Sequence, residues 1–272
     1  MIKSISFWSF PSDIGVEQVL NRARELGFDA VELTLEAAGD ITAATSDADL
    51  SQIRQLADRL GLKLPTFATG LHWQHPLVGP GGIEGTEGIE IVKHEVRCAR
   101  VLGASTVLTV PCTVGPELDY DIAYRTALGV YRKLGDIGSE AGVNIGVENV
   151  WNKFLVSPLE FAHFIDEVDH PNVVAYFDVG NVLLFGYPEQ WIKILNKRIG
   201  AVHFKDFRTG VGTLDGFVDL LEGDVDWEKV MLALSTIGYE GAVTAEMMPP
   251  YKHHPWRLLE ATSKSMDAIL GR

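Results

Sequence analysis

The chain has 272 residues, 46% of them hydrophobic, which is enough for one large domain with a full core and no disulfide staples. Its 37 acidic and 23 basic residues leave a formal net charge of −14, which repels a phosphate backbone and argues against nucleic acid as a partner. No segment approaches the length of a membrane span. Residues 1–7 read as a strand rather than a signal peptide, and Cys98 and Cys112 form no CxxC pair, so a soluble cytoplasmic protein with no membrane partner is expected.

Short apolar, β-branched runs alternate with longer helical patterns from end to end. A strand at 2–8 precedes a helix at 16–26, and a strand at 30–35 precedes a helix at 50–60. The pattern continues with 63–68 and 87–102, then 106–111 and 123–140, then 144–150 and 159–167. It closes with 173–179 and 189–195, 201–205 and 227–237, and 242–247 and 257–270. Gly27, Gly61, Gly103, Gly142 and Gly238 stand where helices would end in a left-handed cap. No GxGxxG follows the first strand, which removes support for a dinucleotide fold. Eight strand–helix units favour a closed (β/α)8 TIM barrel of the α/β class, because closure leaves no edge strand, and one domain is expected over 1–272. Two long loops, 69–86 and 207–226, follow strands three and seven and would lie on the C-terminal face, where barrel active sites sit.

Four consecutive strands in the second half end in a potential metal ligand: Glu148, Asp178, His203 and Glu246. Side chains alternate in and out with period two. The columns Val143/Ile145/Val147, Val173/Ala175/Phe177, Val202/Phe204 and Val243/Ala245 are apolar and should face the helices. The ligand columns should then face the barrel axis. Three converging carboxylates cannot all stay ionised without a cation. Three oxygen ligands and one imidazole suit Mn²⁺, with Co²⁺, Mg²⁺ and Zn²⁺ also compatible.

The stretches Gly146-Val147-Glu148-Asn149, Phe177-Asp178-Val179-Gly180-Asn181, Val202-His203-Phe204-Lys205-Asp206 and Thr244-Ala245-Glu246 resemble the xylose-isomerase-like TIM barrels. So do Gly223-Asp224-Val225-Asp226-Trp227 and Ile237-Gly238-Tyr239-Glu240-Gly241. The similarity covers the whole chain and is strongest from Val143 onward. That superfamily includes ketose 3-epimerases, sugar-phosphate epimerases and isomerases, and hydroxypyruvate isomerases. The resemblance implies that Glu148, Asp178, His203 and Glu246 hold the metal, that Glu148 and Glu246 double as acid and base, and that the protein is a homodimer or homotetramer. Family members with Asp-x-Gly-His place a substrate-binding histidine where this chain has Asn181, and the asparagine form is closer to the sugar-phosphate branch. The expected activity is therefore epimerisation or isomerisation of a ketose or ketose phosphate. A proton would leave the carbon beside the carbonyl, and the metal would stabilise the resulting ene-diolate. A dehydratase acting on a keto-inositol or a dehydroshikimate-like substrate is the alternative on the same barrel. An apurinic endonuclease would need more histidines and a basic face, and a non-catalytic sugar-binding barrel would not need the complete ligand set.

Lys205 shares the inward parity of His203, and with Arg208 it is expected to hold a phosphate or another acidic group, since barrel phosphate sites often follow strands seven and eight. Arg208 also reads as a solvated cation, and Lys252, His253 and His254 form a weaker second candidate. Trp8, His72 and Trp73 would pack on a sugar face or shape the rim. Glu32 ends strand two with inward or rim placement. Asn152 would bond a hydroxyl or cap the helix after Ser157-Pro158. His94, His163 and His170 read as surface residues, and Asp226 as a helix N-cap.

Overall fold

The computed structural model describes residues 1–247, 251 and 253–272. Eight parallel strands close into a barrel: β1 (Ile2–Ser6), β2 (Ala30–Leu35), β3 (Thr66–Thr69), β4 (Thr106–Thr109), β5 (Asn144–Glu148), β6 (Val173–Asp178), β7 (Ile199–Phe204) and β8 (Ala242–Ala245), each bonded to its sequence neighbours, with β8 bonded to β1. The outer helices are α1 (Val16–Glu25), α2 (Asp47–Leu60), α3 (Thr86–Leu102), α4 (Tyr120–Ala141), α5 (Pro158–Val168), α6 (Pro188–Leu195), α7 (Trp227–Thr236) and α8 (Trp256–Leu270).

The expected strand–helix units are all present, and the shifts at their ends have local causes. β1 stops at Ser6 because the Ser6 side chain accepts from Trp8 N and turns Phe7–Ser9 into a 3₁₀ turn. β3 starts at Thr66, since Pro65 has no N–H for the ladder; Lys63 keeps one isolated bridge to Ala30. α2 begins early because Ser46 caps it, accepting from Asp49 N. Gly61 and Gly142 end α2 and α4 with φ of 69° and 68°, the left-handed geometry a side chain would resist. Asp226 caps α7 by accepting from Lys229 N.

The apolar residues divide into two clusters. The larger lies between barrel and helices and contains every residue of the four expected outward columns, Phe177 and Phe204 among them. Burying one such side chain stabilises the fold by about 1.5–3 kcal/mol. The smaller cluster, Ala68, Leu108, Val110, Tyr176 and Ala201, lies inside the barrel and forms the floor on which the ligand-bearing residues stand. One irregularity sets their phase. Ala175 pairs with Ile199 but Tyr176 pairs with Ala201, so Gly200 is an extra residue in β7. A Cβ there would lie 2.5 Å from Val174 Cγ2. Beyond this bulge Asp178 pairs with His203, and both point inward. At the opposite end Lys3 of β1 is buried and donates to Ser263 (2.8 Å) and Asp267 (2.6 Å) of α8, tying the first strand to the last helix.

Candidate metal centre and active site

Each candidate ligand leaves the C-terminal end of its strand. Asp178 is held by the chain around it. The Asn149 side chain accepts from Asp178 N (2.8 Å) and donates to Asp178 O (2.9 Å), which continues the β5–β6 ladder by one side chain. Asn181 N donates to Asp178 Oδ1 (2.7 Å), while Oδ2 accepts no hydrogen bond. Gly180 allows the next strand close, since a Cβ there would meet Lys205 Cβ at 2.6 Å. His203 turns Nδ1 toward the carboxylates: 2.7 Å to Glu246 Oε2, 3.3 Å to Glu148 Oε1 and 3.9 Å to Asp178 Oδ2.

One ligand atom from each of Glu148, Asp178, His203 and Glu246 lies within 4.8 Å of the others, so the four could hold a metal ion. A test of fit is whether polar atoms there lack partners. Asp178 Oδ2 is buried with no hydrogen bond, and the buried Glu246 Oε2 meets only the charged groups His203 Nδ1 at 2.7 Å and Lys205 Nζ at 2.8 Å, whose place a metal would share. Lone pairs aimed into one small space match a bound cation. Among the described residues no other group of three or more candidate ligands meets this geometry.

The electrostatics carry the strain of that convergence. Burial pushes the Glu148 carboxyl up to about 7, and it also raises Asp178. Burial acts the same way on Glu246, but the charges of Lys205 and His203 overcome it and hold Glu246 at about 2. His203 is raised well above its ordinary value, because the Glu32 and Glu246 charges outweigh its burial. Lys205 is raised by Asp178 and Glu246 against the same effect of burial.

Glu148, Asn181, Lys205 and Glu246 open into a cavity of about 400 Å³. Its walls are largely apolar, with the half-buried or exposed Trp8, Trp73, Val150, Trp151 and Phe217 toward the mouth and the buried Leu108 and Val110 deeper. The loop after β7 closes one side. Asp206 and Phe207 pair with Phe217 and Val218 in a two-stranded ribbon. The buried Asp206 carboxylate accepts from Phe207 N (2.9 Å), Leu221 N (2.9 Å), Val225 N (3.2 Å) and Trp227 Nε1 (3.0 Å). Gly223 is required beside it, since a Cβ would lie 2.1 Å from Asp206 Oδ1.

Several expected substrate residues are engaged elsewhere. Arg208 is exposed, donates Nε to Glu222 O (2.9 Å) and is not in the cavity wall, so it is not placed to grip a substrate anion. Lys205 does line the cavity, but its ammonium lies 2.8 Å from Glu246 and 3.2 Å from Asp178 and is shared between those carboxylates. His72 turns away from the barrel axis. It is fully buried against α3, with Nε2 3.2 Å from Glu95 Oε2, because the 3₁₀ turn Leu71–Trp73 directs consecutive side chains to different sides. Asn152 is buried, donating to Cys112 O (2.9 Å) and accepting from Phe154 N (3.1 Å); the α5 cap is Ser157. Trp8 and Asn181 do line the cavity. Lys252 lies outside the described residues, and His253 and His254 are exposed.

Glu32 is neither at the rim nor in the cavity wall. It is fully buried beneath the ligands, on the far side of the His203 ring. Its inward parity on β2 was legible; its depth was not.

A model of the family described as xylose isomerase-like TIM barrel matches residues 20–268. The chain belongs to that family. It is 26% identical over 270 residues to the L-ribulose-5-phosphate 3-epimerase UlaE of Salmonella heidelberg, covering 93% of this chain and 88% of that protein. A D-psicose 3-epimerase crystallised in the presence of D-fructose superposes with a TM-score of 0.83 at 18% identity over the whole of both chains. The IOLI protein with a bound zinc atom superposes equally well, with a TM-score of 0.83 at 18% identity, covering 100% of this chain and 98% of that one. These two likenesses show the shared fold. Among the described residues no helix is long and apolar enough to cross a membrane.

Proposed function

We propose that the chain is a divalent-metal-dependent epimerase of a ketose, inverting the carbon beside the carbonyl, with Glu148 and Glu246 as the two proton carriers. The observation that carries this reading is the placement of those two carboxylates. They reach one cavity from β5 and β8, separated by β6 and β7, and both lie beside His203 Nδ1. Curated relatives that are 3-epimerases support the reaction class.

Glu148, Asp178, His203 and Glu246 would hold the metal, and their mostly oxygen donor set suits Mn²⁺. When bound, such an ion polarises the substrate carbonyl and stabilises negative charge developing on oxygen. The chain's own residues do the rest. One of the two glutamates takes the proton from one face of the sugar carbon, and the other returns a proton to the opposite face. Groups positioned in this way contribute roughly 10²–10⁴-fold. Lys205 balances the charge of Glu246 and Asp178. The indoles of Trp8, Trp73 and Trp151 offer apolar faces to the sugar's C–H groups and exclude water. Lys205 is the one cation among the described lining residues, and relatives named as L-ribulose-5-phosphate 3-epimerases support a ketose or a ketose phosphate as the substrate class. We extend the proposal to one catalytic domain over the whole chain, working in the cytoplasm as a homodimer or homotetramer. No observation favours the dehydratase alternative.

The test is isotopic. Glu148→Gln and Glu246→Gln are assayed with saturating Mn²⁺ in D₂O. Each variant should lose epimerisation while the remaining carboxylate still exchanges solvent deuterium into one epimer. Full epimerisation by both variants would show that the two glutamates are not the proton carriers.

A further inference from the structure

We infer that Glu32 is the positioning residue of the metal centre: it sets which imidazole nitrogen of His203 faces the metal, and so tunes how tightly the ion is held. The inference rests on the four-ligand reading above. Nothing local in sequence links the two residues, which lie 171 positions apart on β2 and β7.

The geometry is that of a carboxylate buttress. Glu32 and His203 are both fully buried. His203 Nε2 lies 2.9 Å from Glu32 Oε1, while Nδ1 faces Glu148, Asp178 and Glu246. A carboxylate can only accept, so Nε2 keeps its hydrogen toward Glu32 when a cation displaces the Nδ1 proton from among Glu148, Asp178 and Glu246, and the Nδ1 lone pair is then the one that faces the ion. The Tyr176 hydroxyl, 3.1 Å from Nε2, offers a second acceptor to the same N–H.

Glu32 is itself held in place. Its Oε2 accepts from Thr66 Oγ1 (2.7 Å) on β3 and from the Tyr176 hydroxyl on β6. Three strands thereby fix one carboxylate, and the carboxylate fixes one ring. The Tyr176 ring also packs on His203 with centroids 4.6 Å apart. An ionised carboxylate buried this deeply needs such partners, since an unpaired one would be very costly. If Glu32 only filled space, an apolar side chain would serve without that cost. A partner on the outer nitrogen of a metal-binding histidine fixes its tautomer and makes it a better donor, and its loss typically weakens metal binding about 10–100-fold.

The experiment reads metal binding rather than turnover. Chelator-stripped wild type, Glu32→Gln and Glu32→Ala are titrated with Mn²⁺ and with Co²⁺ by calorimetry, the visible Co²⁺ spectrum is recorded, and unfolding is followed separately. Glu32→Gln should bind about 10-fold more weakly and Glu32→Ala up to about 100-fold, with an altered Co²⁺ spectrum. Tyr176→Phe removes one support of the buttress and should weaken binding by a smaller factor; it keeps the test available if Glu32→Ala does not fold. Folded Glu32→Gln and Tyr176→Phe proteins that bind both ions within twofold of wild type, with an unchanged spectrum, overturn the inference even if their unfolding midpoints fall. A wild type that binds neither ion overturns the metal centre and this inference with it.

Discussion

The buried His72–Glu95 pair makes a stability prediction with a definite sign. Glu95 lies in the middle of α3 with its side chain fully buried. Oε2 is 3.2 Å from His72 Nε2, and Oε1 has no partner. Burial pushes its carboxyl from 4.5 up to about 7, with His72 pulling partly back. The folded protein therefore holds this proton more tightly than the unfolded chain does. The stability due to the neutral form is complete below about 4.5, falls as pH rises, and is gone above about 7. At about 1.4 kcal/mol per pH unit, that gap amounts to about 3 kcal/mol. Glu95→Gln keeps the shape but cannot ionise. Urea unfolding of wild type and variant at pH 5 and pH 8, under identical metal conditions, should show the variant gaining about 2.5 kcal/mol relative to wild type at the higher pH, since part of the gap is already lost at pH 5. Other buried carboxyls such as Glu148 are common to both proteins and cancel. Parallel stability profiles would refute the reasoning and mean that water or a rearranged His72 satisfies the carboxylate. The pair matters to the site because His72 anchors the turn that carries Trp73 to the cavity mouth.

Other consequences follow from the metal centre and the β7 loop. Raising free Mn²⁺ to a hundred times its Kd should stabilise wild type by about 2.7 kcal/mol, and the shift should vanish in His203→Ala, read as Tm against metal concentration. Lys205→Met should lower kcat/KM for a ketose and its phosphate by the same factor, because the ammonium serves Asp178 and Glu246; a loss confined to the phosphate would restore the anion-binding role. Arg208→Ala should leave KM for either substrate within twofold, given its exposed contact with Glu222. Asp206→Ala strands several buried donors and should cost on the order of 3–5 kcal/mol in urea unfolding, with a larger loss of activity from the displaced Phe217 wall.

Sequence alone was sufficient for the barrel and for the face of every strand in the second half. Apolar runs at alternating spacing must bury one side, and a period of two puts Glu148, Asp178, His203 and Glu246 opposite Val147, Phe177, Val202 and Ala245 without reference to anything distant. The count for β7 held because it began at Ala201, beyond the bulge at Gly200; counted from Ile199 through a regular strand, with the bulge left out, it would have placed His203 among the helices. What periodicity cannot supply is depth along the axis or the direction of a residue in a loop. Depth depends on how strands stagger as the barrel closes, and that stagger put Glu32 behind His203 rather than at the rim. Loop directions depend on single hydrogen bonds, such as those of Asp206, and on 3₁₀ turns, which sent His72 into α3 and Trp73 to the cavity. Lys205 and Arg208 show the same division. Parity placed the first inside, but only the folded neighbours decided that its charge answers Asp178 and Glu246, while Arg208 reaches outward to Glu222.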